Sequence, residues 1–148
     1  MDNKERLVKN WLIKAKHDLL ASKKLSQDND YKDVAIYHCQ QAGEKAIKGF
    51  LVLHDKEFPK THDIRLLVQL AIKINPNFKQ YQESADILTP YATEFRYPGD
   101  VLEPTIEELN EAIERAEEIF NFVMLLLSDE IRNCINRLKS ESDIGADK

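Results

Sequence analysis

Apolar residues recur along the chain at helical rather than strand spacing, in stretches separated by polar breaks. The breaks fall at Ser26–Asp30, Asp55–Thr61, Asn75–Asn77 and Arg96–Pro104. The first stretch, about Asn3–Leu25, sets Leu7, Trp11, Ala15 and Leu25 on one stripe, with Leu12 and Leu19 at its edge. Asp18 and Ser22 point into that same stripe. A second helix, about Tyr31–His54, has a face of mostly small apolar residues: Ala35, Cys39, Ala42, Ala46, Gly49, Phe50 and Leu53. Small side chains let a neighbouring helix approach closely. Thr61 is placed to cap a third helix reaching about Ile74, with Ile64, Leu67, Val68 and Ala71 inward. A fourth, about Phe78–Phe95, is expected to bend or lose its last turn at Pro90. Thr105 and Glu108 form a capping box that opens a final helix running to about Leu138, with Ile106, Leu109, Ile113, Ala116, Phe120, Val123 and Leu127 inward.

Short connections between helices pack them as antiparallel neighbours, so the expected fold is all-α, an up-and-down bundle of about five helices. Residues 1–139 are read as one domain and 140–148 as a flexible tail. The length of 148 residues, with 4 Gly and 5 Pro, fits one domain and supplies too few turn residues for a many-hairpin sheet protein. No run approaches the roughly 20 apolar residues of a membrane span. The charged start of the chain gives no expectation of a secretory signal. Cys39 and Cys134 form no paired motif and suit a reducing cytoplasm. Leu125, Phe122 and Leu126 lie off the main stripe of the last helix, and a homodimer is expected to cover them.

The net charge of −5 argues against wholesale wrapping of nucleic acid, but it is unevenly spread. Residues 1–65 carry 13 Lys and Arg against 10 Asp and Glu; residues 66–148 carry 8 against 16. That asymmetry leaves room for a local anion site on the first half. Four histidines scattered over three stretches lack metal-ligand spacing, and neither a metal nor a cofactor is expected. What stands out is a polar constellation. His38, Gln41, Lys45 and Lys48 share about 80° of arc on the second helix. Asp18, Thr61-His62-Asp63, Tyr91 and Arg96-Tyr97-Pro98 complete it. Arg and Lys suit phosphate oxygens, and aromatic rings suit a base. Asp18 is read as structural, paired most simply with Lys45, because a carboxylate on an inward face needs a partner. For Arg96 the competing assignment is a salt bridge to Asp18 or Glu44.

The segment from Tyr37 to Leu51 (YHCQQAGEKAIKGFL) resembles the core motif of the HEPN family. Pro59-Lys60-Thr61-His62-Asp63-Ile64 and Arg96-Tyr97-Pro98 follow at the family's distances, and Ala15–Ala21 resembles its first helix. The resemblance runs from about Trp11 to about Leu127. It implies a dimerising, HEPN-like helical bundle of the nucleotidyltransferase substrate-binding type, in a prokaryotic cytoplasm. It also implies one of two roles: a metal-independent ribonuclease toxin of a toxin–antitoxin pair, or a non-catalytic partner of a small nucleotidyltransferase. The ribonucleases carry Arg, four to six residues, then His; here no histidine follows His62, so that motif is absent. The expected function is accordingly non-catalytic binding of a nucleotide or nucleotide-bearing substrate. Arg96, Lys45 and Lys48 would meet phosphate, Tyr91 and Tyr97 the base or sugar, and His38, Gln41 and His62 would add hydrogen bonds. The alternatives are a ribonuclease using His38 or His62, with RNA as the less favoured ligand, and an interaction-only module.

Overall fold

A computed structural model describes residues 1–99 and 102–146, with side chains to Arg137. Six α-helices account for most of it: α1 Asn3–Leu25, α2 Lys32–Leu53, α3 Ile64–Ile72, α4 Gln82–Leu88, α5 Ile106–Leu125 and α6 Asp129–Ala146. Short 3-10 turns at Asn29–Tyr31, Pro76–Tyr81 and Thr89–Ala92 link them, and the described residues contain no strand. The fold is an all-helical bundle. None of its described helices is long and apolar enough to cross a membrane.

α2 is the axis. Residues on every side of it are buried, including Ile36, Cys39, Ala42, Gly43, Ala46, Ile47, Phe50 and Leu51. α1 packs along most of its length, α5 and α3 cover other sides, and α4 closes over α3 and α5. Gly49 faces Val8, Trp11 and Leu12, while Asp18 meets His38 and Lys45, so α1 and α2 run antiparallel. Phe50, Phe78, Tyr81 and Phe122 make an aromatic cluster where α2, the Pro76–Tyr81 turn and α5 converge.

The inward stripe of α1 is Val8, Leu12, Ala15, Leu19 and Ser22 with Asp18, about one position round from the expected one. Leu7 is exposed and Trp11 half-buried. The bare Cα of Gly49 admits Leu12 to the interface, and Trp11 stays at its margin. α3 is capped by Asp63, whose carboxylate accepts from the Arg65 amide, rather than by Thr61. Thr61 instead accepts from the Asp63 amide at 3.0 Å, so the helix starts two residues late. Pro90 does split off a turn, the Thr89–Ala92 segment, and the Thr105–Glu108 capping box opens α5.

The final helix is broken where one continuous helix was expected. Ser128 accepts from the Ile131 amide to begin α6, and Arg132 folds back onto the Met124, Leu125 and Leu127 carbonyls. Those carbonyls end α5 and would otherwise lack partners. No Pro or Gly marks the break, so the apolar period runs through it. The backbone of α6 extends to Ala146; the expectation of a flexible tail at 140–148 falls outside the residues whose side chains are described.

A Cβ on Gly49 would collide with Leu12 and press on Trp11 Cβ. Gly49→Val is therefore expected to destabilise the fold by about 1–3 kcal/mol through overpacking, read from urea unfolding midpoints.

Candidate functional site

A helix enclosed on all sides can carry polar side chains only where each finds a partner, because an unanswered buried charge is costly. α2 carries a run of them, and the bundle answers them in two clusters. The first centres on Asp18 of α1, whose side chain is 11% exposed. It accepts from His38 Nδ1 at 2.8 Å and from Lys45 Nζ at 2.7 Å. Burial alone would push its carboxyl pKa up, but those hydrogen bonds and charges outweigh burial and hold it below the ordinary 3.8. A carboxylate can only accept, so His38 carries its proton on Nδ1 and leaves Nε2 unengaged by Asp18.

The second cluster centres on Glu44, 4% exposed. It accepts from Lys48 Nζ at 2.9 Å, His62 Nδ1 at 2.8 Å and Gln40 Nε2 at 3.1 Å. Lys48 also donates to the Thr61 carbonyl at 2.9 Å and lies over the Trp11 and Phe58 rings, 5.8 and 5.7 Å from their centres. Gln41 donates to Gln40 at 2.7 Å, and Gln40 donates to the His62 carbonyl at 2.9 Å. This network ties the segment before α3 to α2.

Arg96 leaves the Thr89–Ala92 turn by a strained route. Phe95 adopts a positive φ of 68°, a conformation bulky residues rarely take. The bend returns Arg96 toward its own turn, where Nη1 donates to the Ala92 carbonyl at 2.9 Å. Its guanidinium carbon lies 4.0 Å above the centre of the Tyr37 ring. Neither Asp18 nor Glu44 pairs with it, so the expected salt-bridge alternative is not what holds it. Arg96, Tyr37, His38, Asp33 and Val34 line one open cleft of about 310 Å³.

Of the eight residues expected to bind ligand, the cleft brings together His38 and Arg96. Lys45 stands behind His38 as the counter-ion of Asp18, the partner expected for that carboxylate. Lys48 and Gln41 are consumed inside the Glu44 network and do not present phosphate or hydrogen-bond donors to solvent. Tyr91 is 7% exposed, stacks on Phe95 with ring centres 6.1 Å apart, and does not line the cleft. Burial, with nearby Glu108 and Glu94, pushes its hydroxyl pKa up to about 12. His62 belongs to the Glu44 cluster, and Tyr97, 62% exposed, does not line the cleft. Cys39 is buried beside Ser22, and burial pushes its thiol up to about 12, which makes it inert. Among the described residues no three His, Cys, Asp or Glu side chains gather as a metal site.

The class of protein follows from comparison with known families. Residues 8–132 match the HEPN domain. The chain belongs to the HEPN domain family. The crystal structure of ST0689, an archaeal HEPN homologue, is 29% identical, covers 78% of this chain and 93% of its own, and superposes with a TM-score of 0.62. That of TT1696 from Thermus thermophilus is 27% identical, covers 85% of this chain and 100% of its own, with a TM-score of 0.68. No curated protein matches the chain.

In this HEPN chain three cleft residues escaped the sequence reading: Asp33, Val34 and Tyr37. A signal for them existed. Asp33 and Tyr37, like Val34 and His38, are four apart on α2 and so share a face one turn apart.

Because Asp18 is depressed when folded, its contribution to stability is full above the ordinary 3.8 and fades as pH falls through the lower folded value. Asp18→Asn is expected to lose about 1–3 kcal/mol at pH 7, since His38 and Lys45 lose their charged acceptor. Its stability should also lack the Asp18 part of the wild-type acid loss below pH 3.8, measured by urea unfolding across pH.

Proposed function

We propose that the Arg96 cleft takes the phosphate of a nucleotide or nucleotide-bearing substrate. The chain would then act as a non-catalytic HEPN protein that holds this ligand for a small nucleotidyltransferase. One observation carries the reading. Arg96 is an exposed guanidinium held in place by a ring and a carbonyl, with no carboxylate partner among the described residues. Its remaining N–H donors are pre-oriented for a phosphate fork. His38 lines the same cleft, and as the imidazolium, with Nδ1–H on Asp18, it donates Nε2–H to the phosphate as a second contact. Phosphate contact thus rests on Arg96 and His38, without Lys45 and Lys48. The missing Arg-x4-6-His motif supports the non-catalytic side of the reading.

One feature favours a second reading. Asp18 orients His38 as carboxylates orient general bases, beside an arginine suited to a phosphodiester. A ribonuclease of that kind would use His38 Nε2 to take the 2′-hydroxyl proton as the 2′-oxygen bonds to phosphorus, while the P–O5′ bond breaks and the leaving 5′-oxygen takes a proton from water.

We also assign a homodimer to this chain. Leu125 is 72% exposed at the end of α5, with Leu126 half-buried beside it. Phe122 adds less to that patch than expected, because Phe78 and Tyr81 engage its ring at 4.9 and 5.0 Å.

Calorimetric titration with AMP, ATP and GTP should detect binding that Arg96→Ala weakens at least about tenfold, the worth of one charge-assisted contact. No binding by wild type at millimolar nucleotide overturns the reading. RNA cleavage that resists chelators and disappears in both Arg96→Ala and His38→Asn selects the ribonuclease instead. In sedimentation the wild type should be dimeric at micromolar concentration and Leu125→Glu monomeric; a monomeric wild type removes the dimer.

A further inference from the structure

Between His38 and Lys48 the polar side chains of α2 are partnered: His38 and Lys45 by Asp18, and Gln40, Gln41, Glu44 and Lys48 among themselves and His62. Asp33, one turn before Tyr37, is different. Its half-buried carboxylate lines the Arg96 cleft and has neither hydrogen-bond nor ion-pair partner among the described residues. Arg96 lines the same cleft and likewise lacks an acidic partner. Two opposite charges thus share one cleft of about 310 Å³ without meeting. Were the two groups only structural, a direct pair would be the simpler arrangement. Kept apart, they make a polarised site whose occupant offers an anion at one end and hydrogen-bond donors at the other.

We infer that Asp33 reads the ribose hydroxyls of the nucleotide whose phosphate Arg96 holds, so that the cleft selects ribonucleotides over deoxyribonucleotides. This rests on the phosphate reading of the cleft and adds a specificity residue to it. A carboxylate offers two acceptor oxygens, which match two vicinal hydroxyls, and a like arrangement holds the ribose in dinucleotide-binding folds. Val34, exposed along the same wall, gives the sugar carbons an apolar contact. One face of Tyr37 is already covered by Arg96, so no base stacks on that face. The volume suits a single sugar-phosphate unit, at the small end of ligand pockets.

The test is titration of the whole protein with AMP, UMP, 2′-deoxy-AMP and 3′-deoxy-AMP, for wild type, Asp33→Asn and Arg96→Ala. Wild type should bind AMP and UMP within about threefold of one another and each deoxy form about tenfold more weakly, as for one lost hydrogen bond to a charged group. Asp33→Asn should still bind AMP yet discriminate by less than about twofold. Arg96→Ala should weaken all four ligands together, by at least about tenfold. Equal binding of ribo and deoxy forms by wild type overturns the role of Asp33 while leaving the phosphate site standing. Discrimination that survives in Asp33→Asn, or that follows the base instead of the sugar, overturns it equally. No binding of any of the four overturns the phosphate site and the Asp33 role with it.

Discussion

Gly49 lets α1 lie close enough to α2 to shut Val8, Leu12 and Ala15 away from water, and the same approach carries Asp18 into the interface. A carboxylate there loses its hydration and must recover it from the protein. His38 and Lys45 supply what is lost, and their geometry follows from that need. On another side of α2, Glu44 imposes the same demand and draws in Lys48, His62 and Gln40. The two carboxylates thereby decide which cations of the second helix stay available to a ligand. Neither lysine does.

The cleft is made from what those demands leave over. His38 is bound through one nitrogen only, and its ring borders solvent. Arg96 reaches the cleft because Phe95 takes a backbone conformation that a bulky side chain rarely adopts, a cost that Phe95 stacked on Tyr91 helps to sustain. The guanidinium then settles on Tyr37, which holds its plane without neutralising its charge. An ion pair in that position would have produced a scaffold contact. A ring contact produces a cation that is fixed in place and still able to meet an anion.

Much of the fold could be read from the chain. The helical period, the Thr105–Glu108 capping box, the turn at Pro90 and the small-residue face of α2 are local properties, set by spacing and hydrogen-bonding chemistry within a few residues. The ordered motif from Tyr37 to Leu51 with Arg96-Tyr97-Pro98 was enough to indicate the HEPN family. Reading failed where long-range contacts decide. The α1 stripe is rotated because the bare Cα of Gly49 admits Leu12, and the break before α6 depends on Arg132 reaching back to the end of α5. Among the candidate site residues, type and spacing placed Lys45 and Lys48 beside His38 on one arc. Spacing also offered each a partner, Asp18 for Lys45 and Glu44 one turn before Lys48. It did not show that burial, with the Thr61 carbonyl closing on Lys48, would leave neither lysine for the cleft.

By itself, then, the chain determined a helical bundle of the HEPN kind and the side chains available for phosphate recognition, because helix period, caps and motif order are local. Only tertiary structure decided which of them line an open cleft. A polar side chain in a packed bundle is free or spent according to its burial and the groups packed against it, and one-dimensional spacing records only the near neighbours among them.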